Sequence, residues 1–223
     1  MFKSKKNLLV PFLLAIFVLT ACTQAPDAPK AKGSDPQPVA STTTPATATQ
    51  ATYKVDLAKS VVNWVGTKPT SRHNGTINIS DGSFNVDKGE IKTGSFTLDI
   101  NSIAVTDLTG DKKADLESHL KDADFFDAGK FPAAKFEITG ITAQPSADKK
   151  YTHNVSGNMT IKDITKNISF PANIKVSDTE ISAQSEFNIL RTDFGMTYKS
   201  DKSLGDKLIN PEVNLALNIT ARK

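Results

Sequence analysis

Cysteine occurs once, at Cys22, so no internal disulfide can form and no second thiol is available for a metal site. Histidine is almost as scarce. His73, His119 and His153 are the only three, and none stands at HExxH or HxH spacing. No GxSxG, P-loop or Rossmann glycine pattern appears, which leaves catalysis and a bound cofactor without a sequence signature. Asp122, Asp124 and Asp127 lack the central glycine and distal glutamate of an EF-hand loop, and read instead as residues that end a helix. No metal is expected. An apolar run long enough to cross a bilayer, about 20 residues, is missing too.

A basic surface is absent as well. The formal charge of +3 matches Lys3, Lys5 and Lys6 at the extreme amino terminus; without them, 24 Lys and Arg face 24 Asp and Glu. Nucleic-acid binding needs a cationic surface to displace counterions from phosphates, so that class of partner is excluded.

What is present begins with an export address. The three lysines precede the apolar stretch Leu8 to Leu19, which is the length of a signal-peptide core, and Leu19-Thr20-Ala21-Cys22 closes the segment. Those four residues resemble the lipobox of bacterial lipoproteins, in which the cysteine receives diacylglycerol before residues 1–21 are cleaved away. The expectation is a protein lipidated at Cys22 and tethered to a membrane, since more than one acyl chain makes a stable anchor. Thr23 stands where an aspartate would retain such a protein in the inner membrane, so the expected place is the cell envelope, on the outer membrane facing the periplasm. From Cys22 to Thr52 the chain is Ala, Thr, Pro, Gln and Lys with few large apolar side chains, and is expected to be a disordered tether spanning roughly 30 Å. The folded domain is then 53–223.

Within that domain apolar and polar residues alternate with period two. Phe96, Leu98 and Ile100 share one face; so do Phe136 and Ile138, then Val155, Gly157, Met159 and Ile161, then Ile168 to Val176, Ile181 to Ile189 and Val213 to Ala221. Val61–Val65 around Trp64, and Thr76–Ser80, bring the count to about eight strands, separated by turn signals at Asp81-Gly82, Lys88-Gly89 and Asn210-Pro211. One helix is expected over Ala114 to Ala123, with Leu116, Leu120 and Ala123 on one stripe, as a cap on one end of the sheet. Strands with one dry face and no second helical layer must form a sandwich or close on themselves. The fold class is all-β, and an antiparallel barrel of about eight strands with one short helical insertion is lipocalin-like. Gly157, Ala172, Ala183 and Ser185 on the inward rows either leave room for a guest or make room for neighbouring Phe rings.

Several strings carry a family resemblance: Trp64-Val65-Gly66 with His73-Asn74-Gly75-Thr76, Leu98 to Ile103, Asp115 to Lys121 with Asp124-Phe125-Phe126-Asp127 and Phe131-Pro132, Gly157 to Lys162, and Arg191 to Gly195. In this order, from about Tyr53 to Lys223, they resemble the YceI-like proteins, although Asn158 stands where members often carry aspartate. The resemblance implies a barrel that binds a polyisoprenoid or a similar apolar, quinone-like lipid. Burying about ten CH₂ groups is worth roughly 8 kcal/mol before entropic costs, so the physics is sound. The large inward side chains are the expected lining: Trp64, Phe96, Leu98, Ile100, Phe136, Ile138, Met159, Ile161, Phe187, Ile189, Leu215 and Leu217. His73 and His119 read first as structural hydrogen-bonding residues and Arg191 as the ion-pair partner of Asp193 at a strand end, with a place as polar groups at the barrel mouth as the alternative for all three; His153 reads as solvated. The expected role is a non-enzymatic carrier, scavenger or sensor. A hydrolase or isomerase using His119 with an acidic neighbour, and a ligand-free structural module, are the alternatives. Pairing of two copies mouth to mouth is compatible with a carrier whose lipid protrudes.

Overall fold

The computed structural model describes residues 24–39, 50–144 and 150–223; the signal segment and Cys22 lie outside the described residues, as does 40–49 of the expected tether. Among the described residues the strands are β1 (Lys32–Ser34), β2 (Gln50–Val55), β3 (Val61–Lys68), β4 (Ser71–Asp87) and β5 (Glu90–Val105). After the helix α1 (Gly110–Lys121) come β6 (Ala133–Ala143), β7 (His153–Ile161), β8 (Ile164–Val176), β9 (Glu180–Leu190) and β10 (Glu212–Arg222). From β3 onward each strand pairs antiparallel with the next, and β10 returns to β3 with Leu215 opposite Trp64. The result is the expected closed eight-stranded barrel. β2 extends the wall at one end, between Ser83–Asp87 of β4 and Ala221–Arg222 of β10.

Turn chemistry explains two of the hairpins. Lys88 and Gly89 have φ of 54° and 80°, and Lys162 and Asp163 have φ of 51° and 60°. Two successive left-handed residues match the right-handed twist of the strands they join. Asp81-Gly82, expected to be a turn, lies inside β4 instead. The strand continues through it by shifting register between Thr76 and Asn78 and again between Ile79 and Asp81, so the polar pair is absorbed in irregularities that bend the strand.

The helix begins four residues earlier than expected and ends at Lys121, with Asp122 as its extended cap. Glu117 Oε1 accepts the backbone N–H of Val105 at 2.8 Å, stitching α1 to the end of β5. Leu116 and Leu120 pack on a small core of Trp64, Ile77, Ile103 and Val105 at this end of the barrel.

The expectation of a disordered tether is corrected over 24–39. β8 and β9 pair only from Asn173–Gln184 to Val176–Ile181 and then diverge. The amino-terminal segment fills the opening. Lys32–Ser34 pairs antiparallel with Asn167–Ser169 of β8, while Asn188 of β9 donates its N–H to Pro29 O and accepts from Ala31 N. Ala31 reaches the main core through this seam, where the Phe170 and Phe187 rings stack 4.0 Å apart. The segment is apolar-poor, but buried asparagines on the outer wall hold it. Asn188 Nδ2 donates to Pro26 O, and Asn158 both donates to Gln37 O at 2.7 Å and accepts Gln37 N at 3.0 Å. Asn167 Nδ2 completes the row by donating to Asn158 Oδ1.

Candidate functional site

Alternation places one face of every barrel strand inward, and the inward side chains do not fill the space. Two apolar chambers result. The lower has a volume of about 100 Å³ and is walled by Phe84, Phe96, Phe136, Ile138, Phe170, Phe187, Leu217 and Ile219, among others. The upper, about 150 Å³, lies under α1 between Trp64, Ile77, Ile100, Ile103, Ile161, Ile189, Leu116, Leu120, Phe125 and Phe126. Val62, Leu98, Met159 and Leu215 border both chambers and form a waist between them.

The twelve side chains named as the expected lining lie along these chambers: Phe96, Phe136, Ile138, Phe187 and Leu217 border the lower one, Trp64, Ile100, Ile161 and Ile189 the upper, and Leu98, Met159 and Leu215 both. Sequence reasoning missed the lid contributions of Leu116, Leu120, Phe125 and Phe126, although the helical stripe already marked the first two. Ala172, Ala183 and Ser185 border the lower chamber, so their small size does leave space. Gly157 serves the other purpose. A Cβ there would sit 2.3 Å from the Phe136 ring and 2.7 Å from Glu137 O, so the glycine makes room for an aromatic neighbour rather than for a guest.

Polar groups concentrate at the upper end. His73, Lys68, Thr67, Asn210 and Arg191 border that chamber. His73 Nδ1 donates to Asp107 Oδ2 at 2.8 Å, and Asp107 Oδ1 accepts the backbone N–H of Asn74 at 2.9 Å. Burial pushes the Asp107 carboxyl up, but the Asn74 N–H and the His73 imidazole together outweigh it and hold the pKa below the ordinary aspartate value. A carboxyl depressed in the folded state stabilises fully above its unfolded pKa and loses that contribution as the pH falls through the folded value. Asp107→Asn is therefore expected to flatten the acid end of the stability profile while changing little at its midpoint in acidities where the wild-type carboxyl is already protonated. Urea midpoints of both proteins between neutral pH and the acid limb check this; parallel curves would mean that the pairing carries no stability.

Arg191 is 3% exposed, and the expected ion pair with Asp193 does not form. Its guanidinium donates instead to four backbone carbonyls: Nε to Asn210 O, one terminal nitrogen to Met196 O, and the other to Tyr198 O at 2.9 Å and Ile209 O at 2.7 Å. Burial lowers its pKa, and it stacks 5.8 Å from the Phe125 ring centre. Arginine suits this place because a planar fork reaches several carbonyls at once. Asp193 faces β1: its Oδ2 lies 3.7 Å from where a Cβ on Gly33 would be.

His119 belongs to the lid rather than to the lumen. Its ring meets Phe125 and Tyr198 edge-on at 5.1 and 5.2 Å, and Nε2 donates to Asp124 Oδ2 at 3.1 Å. His153 is bonded to Thr152 Oγ1 through Nδ1 at 2.7 Å and is away from both chambers. Trp64 Nε1, on the wall of the upper chamber, is buried without a hydrogen-bond partner.

The model of the family described as "YceI-like domain" matches residues 53–221. A UPF0312 protein of Shewanella denitrificans is 32% identical over 91 residues, covering 41% of this chain and 46% of that protein. One from Pseudomonas putida is 29% identical over 125 residues, covering 55% and 61%. The chain thus spans about half to three-fifths of the length of these relatives. Among solved structures, BcnA of Burkholderia cenocepacia superposes with a TM-score of 0.59 at 22% identity, over 74% of this chain and 98% of that one. A domain from Saccharophagus degradans, described as polyisoprenoid binding and implicated in plant cell wall breakdown, does so at 0.54 and 16% identity, over 76% and 97%. These likenesses concern the fold.

Proposed function

The chain belongs to the YceI-like domain family, and from that membership and its unfilled lumen we propose that it holds an apolar lipid, of polyisoprenoid or quinone-like type, inside the barrel. The observation that carries this reading is the apolar lining of the two chambers, which share Val62, Leu98, Met159 and Leu215. Water gains little in such a space, whereas a lipid gains about 0.8 kcal/mol for each CH₂ it buries. The twelve inward residues from Trp64 to Leu217 are the contact surface. The upper chamber takes the oxygen-bearing end of the molecule, where His73, Arg191 and the unspent Trp64 N–H stand. Holding is favoured over turnover because His119, the candidate base of an enzyme, borders neither chamber.

The same reading makes the protein a lipoprotein acylated at Cys22, resident in the cell envelope on the outer membrane and facing the periplasm, where it acts as carrier, scavenger or sensor. The lipobox-like Leu19-Thr20-Ala21-Cys22 supports it. Pairing of two copies is read by sedimentation of the loaded protein.

The test is to purify the full chain in detergent, extract it with organic solvent and weigh what is released. A lipid near one copy per chain is expected from the wild type. Ala183→Phe places a ring in the lower chamber at a position that borders it, and is expected to weaken lipid retention about tenfold or more, a loss of about 1.4 kcal/mol, with the fold kept. Wild-type retention by a folded Ala183→Phe protein, or no lipid from the wild type and no uptake of an added apolar fluorophore, would end the reading. The amino-terminal segment must stay in place, because cutting at Tyr53 would uncover the seam between β8 and β9.

A further inference from the structure

The docked amino-terminal segment fixes more than the barrel wall. Its first pinned point is Pro26, whose carbonyl accepts from the buried Asn188. Three residues separate Pro26 from Cys22, and the four fully extended steps between them reach at most about 14 Å. A lipid on Cys22 therefore holds the β8–β9 wall close to the membrane, at less than half the reach of the free spacer that the composition suggests. From Pro26 the segment crosses β9, then β8, then β7 at Asn158, moving toward the end of the barrel where β8 begins and β9 finishes.

That end carries exposed apolar side chains. Ile164, the first residue of β8, is 37% exposed, and Leu190, the last of β9, is 44% exposed. Val39, two residues beyond the Gln37 contact with Asn158, is 37% exposed. They are three of the five large apolar residues exposed among the described residues. The segment itself carries Asp27 and Asp35 against Lys30 and Lys32, so it has no net charge to draw it to anionic lipid.

We propose that the amino-terminal segment turns the β8–β9 wall onto the bilayer that holds the anchor, with Ile164, Leu190 and Val39 entering the lipid interface. The partner is a lipid surface recognised by apolar contact and short tethering rather than by charge. This rests on acylation of Cys22, as proposed above. One consequence is that the upper chamber, which lies at the same end of the barrel, stands next to the membrane rather than away from it.

The test uses the full acylated chain in vesicles of phosphatidylcholine, with an environment-sensitive fluorophore on Leu190→Cys or, on the opposite wall, Asn101→Cys. Spin-labelled lipid is expected to quench the label at position 190 about threefold more than that at 101. Combining Asn158→Ala with Asn188→Ala, which removes the side-chain bonds to Gln37 and Pro26 and leaves the backbone pairing from Pro29 to Ser34, lengthens the free tether and is expected to reduce the difference without loss of vesicle binding. Equal quenching at both positions in vesicle-bound wild-type protein overturns the orientation and leaves the anchor intact. A mass of the amino-terminal peptide without diacylglycerol, together with failure to float with vesicles, instead ends the anchoring reading and this inference with it.

Discussion

Replacing Arg191 with methionine is expected to cost about 3–5 kcal/mol of stability, and to lower the melting temperature by about 10–15 °C. The side chain satisfies carbonyls from Met196, Tyr198, Ile209 and Asn210, and methionine would fill the volume while leaving all four without a donor. Each buried group so abandoned costs about 1–3 kcal/mol unless the loop opens to water. Opening is the expected response, and it would carry Met196 and Ile209 away from the upper chamber that they border. Arg191→Lys should rescue little, because an ammonium cannot reach carbonyls on both sides of the loop. Thermal and urea unfolding of the two variants decide the matter; a loss under about 1 kcal/mol in both would show that the loop does not depend on this side chain.

Gly75→Ala is the second large effect, expected at about 3 kcal/mol or more. A Cβ at Gly75 would lie 1.8 Å from Ala104 O and 2.7 to 2.8 Å from two carbons of the Trp64 indole. The ring can swing aside, but the carbonyl is main chain of β5, in the stretch paired with β4, so the two strands must part. Because Trp64 is the only tryptophan, its emission reports the disturbance directly. Gly140→Ala is the control: nothing lies within 4 Å of its added carbon, and its effect should stay within about 0.5 kcal/mol. Equal stability of the two variants would contradict the close packing of Trp64 on β4.

Those two positions also mark how far the sequence could be read. Alternation alone identified the inward rows, since a barrel strand with one dry face leaves a period-two trace whatever its partners are. This is why Trp64, Phe136, Met159 and Leu215 were legible as lumen residues. Arg191 was legible as important only through its place in a family-like string. Its partners are carbonyls, which have no side-chain signature, so an acidic neighbour, Asp193, was the natural but mistaken choice. β4 misled for a related reason: Asp81-Gly82 has the composition of a turn, and pairing with Thr97 and Phe96 of β5 keeps the chain extended there, with β2 joining the other side from Ser83 onward.

The amino-terminal segment was the least legible part. Its composition cannot support a core of its own, and that much of the reading stands. What composition could not reveal is that the acceptors and donors for its backbone are supplied from more than a hundred residues away, by Asn158 and Asn188. Both asparagines sit at positions that alternation assigns to the wet face, and they are buried because the segment covers them.

If the barrel holds a lipid as proposed, the four side chains shared by the two chambers would select by shape. Under the reading proposed above, a flat, rigid polycycle would be confined to one side of Met159 and Leu98, whereas a slender linear chain would need only a small displacement of the four shared side chains to occupy both compartments. Methionine is the side chain best able to adjust its girth there, having an unbranched thioether with three rotatable bonds. A barrel that holds a lipid as proposed would therefore sort by cross-section more than by length, and would accept homologous chains that differ in how far they extend on either side of the neck.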